Sequence, residues 1–340
     1  MSVYRQLFPL DSRADEYPTV LEMRLSRREA VCLSFSRTGL YLAAGCADGY
    51  LVLWDFLART VALEGKIVPQ GGIDCVGWDA DGETVYACSH STPGIFVLNL
   101  RTKTSWHVAT PTAVSSFECS PSVPKLVLLV LDDGSTAWLD AEGHRTHGIK
   151  LDDAQSSSSS PSGVESAEPN AEFITCAALP SSAPWLMVGT SRGTVRCVTP
   201  TSRTCTKAQD FWGAELSSIG EISLPKRKQV HSIRIAQHKR FILVNHAAYS
   251  LYTINVRFSE EPQKQCDLHI RGHIQDVVNR RKFSDCNLSW DDEYVIASAD
   301  NSLTLSIWNS VDGQVSMVAG RIASVISVSS FFVLRCCRSP

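Results

Sequence analysis

Short apolar runs, each closed by a cluster of Gly, Asp or Ser, recur along this 340-residue chain. The clearest set begins at Cys32-Leu33-Ser34-Phe35 and turns at Ser36-Arg37-Thr38-Gly39. It resumes as Tyr41-Leu42-Ala43-Ala44-Gly45, turns again at Asp48-Gly49, and ends in Leu51-Val52-Leu53-Trp54-Asp55. Three β-rich runs separated by turn residues and closing on Trp-Asp predict most of one blade of a WD-type propeller.

The same order returns five times. Cys75-Val76-Gly77-Trp78 leads through Thr84 to Cys88 and on to Ile95-Phe96-Val97-Leu98-Asn99. Ser115-Ser116-Phe117 leads through Leu126 to Val130 and on to Ala137-Trp138-Leu139-Asp140. Cys176 to Leu179 opens a fourth copy closing at Val198, and Ile233-Arg234-Ile235 opens a fifth closing at Ile254-Asn255. Cys286 to Trp290 opens a sixth, which closes on Ile307-Trp308-Asn309.

Positions equivalent to Trp54 fall at 98, 139, 198, 254 and 308, so successive spacings are 44, 41, 59, 56 and 54 residues. The first two match the roughly 40 to 45 residues of a WD blade, and the longer three imply insertions. These are placed at Asp152 to Pro169, at about Thr206 to Lys228 and at about Arg257 to Lys282. The first holds Ser156 to Ser160 and almost nothing apolar, which predicts a flexible loop.

The expected fold is an all-β propeller over residues 30–320, with six visible blades and an incomplete seventh. For the N-terminal segment 1–29 and the divergent tail 321–340 two readings stand. Either they supply strands that close the last blade, or the tail is a divergent end with no blade of its own. Trp54, Asp55, Trp308 and Asn309 are read as structural repeat residues, because a Trp ending the third strand of a blade packs in the core. Asp48 and Asp81 are read as turn formers.

Composition adds constraints. An apolar fraction of 44% with 20% charged residues predicts a folded globular chain. A net charge of −3 gives no whole-protein attraction to nucleic acid or anionic membrane. Met1 to Asp15 lacks a signal-peptide pattern, so a soluble intracellular protein is expected. The 12 cysteines stand mostly singly inside apolar runs, as small hydrophobes suited to a reducing compartment, and no Cys-x-x-Cys occurs. No nucleophile elbow, phosphate-binding loop or His-Glu-x-x-His is present. No cofactor, metal or catalytic residue is therefore expected, and the chain is read as a binding protein.

Three local features stand out. Pro225-Lys226-Arg227-Lys228 is a basic cluster open to reading as a nuclear import signal or as solvated charge. Arg280-Arg281-Lys282, with Lys239 and Arg240 as a second basic loop, has two readings, a phosphate contact or an exposed solvated loop, and charge alone favours the exposed loop. Arg271-Gly272-His273 is compatible with an outer strand of the sixth blade, with His273 structural.

The run Ile274-Gln275-Asp276-Val277-Val278-Asn279-Arg280, with Cys286, Asp292 to Ala297, Ile307-Trp308 and Gly313, resembles the retinoblastoma-binding protein five family of COMPASS-complex WD-repeat subunits. So does the first blade, through Gly39, Leu42-Ala43, Gly45-Cys46, Asp48-Gly49 and Val52 to Leu57. The resemblance implies a nuclear, non-catalytic scaffold of a histone H3 lysine-4 methyltransferase complex. Its implied companions are a SET-domain methyltransferase, an Ash-two-like subunit and a second WD-repeat subunit. It also implies that Asp276, Asn279, Arg280, Arg281 and Lys282, with Lys239 and Arg240, face a partner or the nucleosome.

The family's propeller is expected to have seven blades, and a segment beyond it is expected to contact the enzyme. This chain stops before such a segment, which places full activation in question. The competing reading is a WD-repeat adaptor of another assembly, such as a ubiquitin ligase or an RNA-processing complex. A hydrolase in the propeller channel is a formal third.

Overall fold

A computed structural model describes residues 27–121, 123–139, 145–147, 172–180, 185–200, 216–259, 265–275, 283–289, 291–299, 305–311 and 315–319. Within them lie six four-stranded antiparallel sheets, each built from four consecutive strands. Blade one is β1 (Ala30–Phe35), β2 (Tyr41–Cys46), β3 (Tyr50–Asp55) and β4 (Thr60–Lys66). Blade two is β5 (Cys75–Trp78), β6 (Thr84–Ser89), β7 (Thr92–Asn99) and β8 (Thr104–Val108). Blade three is β9 (Val114–Cys119), β10 (Val127–Leu131), β11 (Thr136–Leu139) and β12 (Arg145–His147). Blade four is β13 (Ile174–Ala178), β14 (Leu186–Thr190), β15 (Thr194–Pro200) and β16 (Leu216–Ser223). Blade five is β17 (Val230–Ile235), β18 (Phe241–His246), β19 (Ser250–Phe258) and β20 (Cys266–Gln275). Blade six is β21 (Phe283–Leu288), β22 (Tyr294–Ala299), β23 (Leu305–Asn309) and β24 (Val315–Ala319).

The repeat phase read from sequence is the structural phase. Trp54 pairs with Leu42, Leu98 with Val85, Leu139 with Val127, Val198 with Leu186, Ile254 with Ile242 and Trp308 with Val295. Each pair joins the end of a third strand to the start of a second. In blades one, four, five and six a β-bulge against the fourth strand falls at this same position. The extra residue sharpens the local twist, which lets the outer strand curl away from the blade.

Two sequence expectations need correction. Residues 206–228 and 257–282 are not insertions throughout, because β16 and β20, the outer strands of blades four and five, lie within them. Arg271-Gly272-His273 belongs to β20 and hence to blade five, not blade six. At the outer edge of its blade β16 has no fully buried position, only half-buried and exposed ones, and carries a weaker apolar signal than the central strands. His273 does serve a structural role there, stacking on Tyr252 at 4.7 Å. The loop expected at Asp152 to Pro169 and the segments 1–26 and 321–340 lie outside the described residues.

The core is a series of layers between blades. Central strands are buried on both faces, which explains their unbroken apolar runs. In β18, Ile242 and Val244 pack toward Met187 and Cys197 of blade four, whereas Phe241 and Leu243 pack toward Cys286 and Trp308 of blade six. Equivalent layers join blades one to two, two to three and three to four. Fully burying each such Leu, Ile or Val contributes about 1.5–3 kcal/mol. The slot residues Leu98, Leu139, Val198, Ile254 and Trp308 all face the preceding blade. Trp54, with Leu42 and Val52, is buried yet belongs to none of these five layers.

Close packing fixes two equivalent glycines. A Cβ on Gly45 would stand 2.5 Å from the Cys32 Sγ and 2.6 Å from Ile73. One on Gly189 would stand 2.8 Å from the Cys176 Sγ and 2.6 Å from Val230. Burial raises the Cys176 and Cys286 thiols to about 12, so these cysteines pack as apolar groups and stay protonated.

Candidate functional site

Strand direction gives the propeller two faces. One carries the turns between first and second strands, including Ala236 to Arg240 in blade five, together with the ends of the third strands. The other carries the turns between second and third strands and the connections from one blade to the next.

Lys239 and Arg240 lie on the first face, where Arg240 is exposed and Lys239 half-buried. Their turn is held from blade six. The Asp292 carboxylate accepts the backbone N–H groups of Gln237 at 3.1 Å, His238 at 2.6 Å and Lys239 at 2.9 Å. The Lys239 Nζ in turn donates to the Asp292 carbonyl at 3.2 Å. Asp292 is itself buried with φ of 57°, a left-handed conformation that Asp tolerates better than most residues. Asp79 of blade two makes a single contact to the following blade instead, accepting the Lys125 N–H of blade three at 2.7 Å.

Beside this turn lies a groove between blades four and five with a volume of about 840 Å³, and next to it a smaller hollow of about 420 Å³. Lys239, Arg240 and Phe258 line both, Trp185 lines the groove, and Arg257 and Arg271 line the hollow. At its inner end the groove meets the central channel, a cavity of about 590 Å³, through Glu118, Arg234 and Asn287.

The channel holds a charged cluster. The Arg234 guanidinium stands 3.8 Å from the Asp285 carboxylate. Burial works against its charge, but Asp285 and Glu118 outweigh this and keep it firmly protonated. Burial also raises the Glu118 carboxyl to about 7, against the opposing pull of Arg234 and the Leu179 N–H. The ion pair joins blades five and six, with Glu118 of blade three lining the same channel, and the cluster supplies no nucleophile with a base. Among the described residues no group of His, Cys, Asp and Glu has the arrangement of a metal site, and no helix is long and apolar enough to cross a membrane.

Asp276, Asn279, Arg280, Arg281 and Lys282 lie outside the described residues. Their flanks are informative. Gln275 pairs with Ser250, at the end of blade five opposite to the Phe241–Asn255 pair that follows Lys239 and Arg240. Gln275 and Phe283, the described residues on either side of 276–282, thus stand on the face opposite to Lys239 and Arg240. Pro225 to Lys228 forms a tight turn on the same face as Gln275, with Lys226 and Arg227 at φ of 69° and 42°. The Lys228 N–H donates to the His246 Nε2 at 3.3 Å. Trp54, Asp55, Trp308 and Asn309 occupy the third-strand ends as expected. The Asp55 carboxylate accepts the Leu57 and Ala58 N–H groups, and the Asn309 side chain accepts that of Val311.

Sequence reasoning gave no binding role to Trp185, Phe258, Arg257, Arg271, Arg234 or Asp292. Only two left a signal: the Asp291-Asp292 doublet repeats the acidic turn at Asp79 to Asp81, and Arg271 beside Gly272 interrupts the alternation of β20.

The WD domain, G-beta repeat family matches residues 24–55, the first blade through Trp54-Asp55. The β-propeller domain of Cps50 (Swd1) from Myceliophteria thermophila superposes with a TM-score of 0.70 at 19% identity, covering 88% of each chain. The chain is a WD-repeat β-propeller. In sequence this propeller is 23% identical over 83% of its length to Set1 complex component swd1 of Schizosaccharomyces pombe. It is 20% identical over 88% of its length to retinoblastoma-binding protein homolog 5 of Caenorhabditis elegans. A segment of 55 residues is 42% identical to Protein RBL of Arabidopsis thaliana. The resemblance to COMPASS WD-repeat subunits thus runs along most of the propeller. The chain spans 65% and 60% of the lengths of the first two relatives.

Proposed function

We propose that this propeller is a non-catalytic scaffold subunit of a nuclear histone H3 lysine-4 methyltransferase complex. The observation that carries the reading is similarity across more than four-fifths of the chain to a Set1 complex component and a retinoblastoma-binding protein homolog. Six described blades that present loops on two faces suit a scaffold. Its partners are a SET-domain methyltransferase, an Ash-two-like subunit and a second WD-repeat subunit. Arg280, Arg281 and Lys282, with Asp276 and Asn279, form its nucleosome or partner contact. Lys239 and Arg240 form a second contact, on the face that carries the turns between first and second strands.

The segments 1–29 and 321–340 complete the ring in this reading, covering the buried face of Leu42, Val52 and Trp54. Deleting either segment should then lower the melting temperature by several degrees, and an unchanged melting curve would remove it from the fold. For the function itself, the test is affinity purification of the chain from nuclear extract with mass spectrometry. Recovery of a SET-domain methyltransferase is expected; a clean set of partners lacking every methyltransferase subunit would refute the proposal.

A further inference from the structure

The outer rim of blade five concentrates cations and aromatic rings that the ring architecture does not require. Arg240 follows the turn held by Asp292, Arg257 lies near the end of β19, and Arg271 comes from β20. The register places Arg271 with care. Thr253 pairs with Gly272 and Ile254 with Ile270, so Arg271 is the bulged residue between them. A bulge re-aims its extra side chain. Here it carries the Arg271 guanidinium to 5.3 Å from the Phe241 ring centre, inside the hollow. The corresponding bulge positions in blades one and four are Ala62 and Ile219. Neither is charged, so the bulge itself does not explain a cation.

Phe258 lines both hollow and groove and is 36% exposed, and it tilts against Trp185 of the groove at 5.3 Å. Trp185 is half-buried on the core layer of blades four and five, whereas Phe258 is an exposed aromatic rimmed by charge, a combination that marks interaction sites. Glu118 is the one carboxylate among the lining residues of groove and hollow, and it sits at the inner end. Asp267, the cross-strand neighbour of Arg257, contacts His269 at 2.7 Å.

We infer that this groove binds an acidic linear segment of a partner protein, with an apolar or aromatic side chain seated against Trp185 and Phe258 and carboxylates on Arg240, Arg257 and Arg271. Arginine forks suit carboxylates in two-point contact, and a tilted ring pair suits a planar or branched anchor. A single-stranded nucleic acid shares the same chemistry but needs a cationic track along its backbone. These cations form one cluster at the rim of a single blade, and the groove closes inward on the channel. The site is independent of the methyltransferase reading and would stand if that reading failed.

The test is fluorescence anisotropy with the full chain and a fluorescein-labelled dodecapeptide of Glu and Asp around a central Leu-Trp pair. Salt-sensitive saturable binding is expected, weakened about tenfold by the double substitution Arg240→Glu with Arg271→Glu. Arg257→Gln, at an exposed position, should weaken it about threefold, and decides the matter alone if circular dichroism shows the double variant unfolded. Absence of binding, affinity unchanged by Arg257→Gln, or tighter binding of labelled oligo(dT) than of the peptide would each overturn the inference.

Discussion

Blade one and blade five have the same backbone and different chemistry. Both are four-stranded antiparallel sheets with a bulge at the end of the third strand, and in both the slot residue pairs with the second position of the second strand. Blade one fills that slot with Trp54-Asp55, and blade five with Ile254-Asn255. Its bulged residue is Ala62, and in blade five it is Arg271. The comparison separates two layers of specification. Face alternation sets the blade, since blades two and three form without a bulge at this position, whereas slot size and bulge charge are free to vary, and the second freedom is where a surface can acquire a binding role.

The largest effect that could break this comparison lies in the slots. Trp54→Ala and Trp308→Ala should each destabilise by about 3–5 kcal/mol, through lost burial and an unfilled cavity. Ile254→Val, at the same position in blade five, should cost only about 0.5–1.5 kcal/mol. Denaturant melts of the three variants measure the difference. Equal losses would show that slot size does not matter.

Next comes the coupling of blade six to blade five. Asp292→Ala frees three backbone N–H groups in the turn at Gln237 to Lys239, and should cost about 2–4 kcal/mol. Hydrogen exchange should speed at those three amides while the amides of β6 stay protected. Uniform loss of protection would mean that the blades do not behave as separate layers.

A smaller effect depends on pH. The folded-state pKa of Glu118 is raised to about 7, so the folded chain binds more protons than the unfolded chain between roughly pH 4.5 and 7. This group's contribution to stability therefore falls as pH rises through that window. Glu118→Gln should be the more stable chain at pH 8, by on the order of 1 kcal/mol after screening by channel water, and should lose that advantage toward pH 4.5. His246 has the opposite sign. Burial lowers it to about 4, so its contribution is lost as pH falls from about 6.5 toward 4. A His246→Gln chain should separate the two. The smallest effect is expected at the bulge itself, where Arg271→Ala should change stability by less than about 0.5 kcal/mol.

The sequence disclosed the blades through their central strands, because burial on both faces leaves unbroken apolar runs such as Phe241 to Val244 and Val127 to Leu131. It hid the outer strands, since β16 and β20 lie at the outer edges of their blades and carry polar residues that read as insertions. The basic loop at Lys239 and Arg240 was legible as charge. The groove beside it was not, because Trp185, Arg257, Phe258 and Arg271 come together only through the stacking of blades four and five and a one-residue bulge. Asp292 was visible as part of an acidic turn, but its grip on a neighbouring blade depends on ring geometry that no local pattern contains.

The central claim is that a structurally uniform ring presents partner contacts through its variable loops. It is tested most directly by purifying the wild-type chain and an Arg280→Glu, Arg281→Glu, Lys282→Glu chain from nuclear extract, and quantifying methyltransferase subunits and histones by mass spectrometry. The wild-type chain should recover both. The triple variant should melt within about 1 °C of wild type, keep its SET-domain partner and lose most of its histones. Recovery of neither class with the wild-type chain, or equal histone recovery with both chains, would contradict the account.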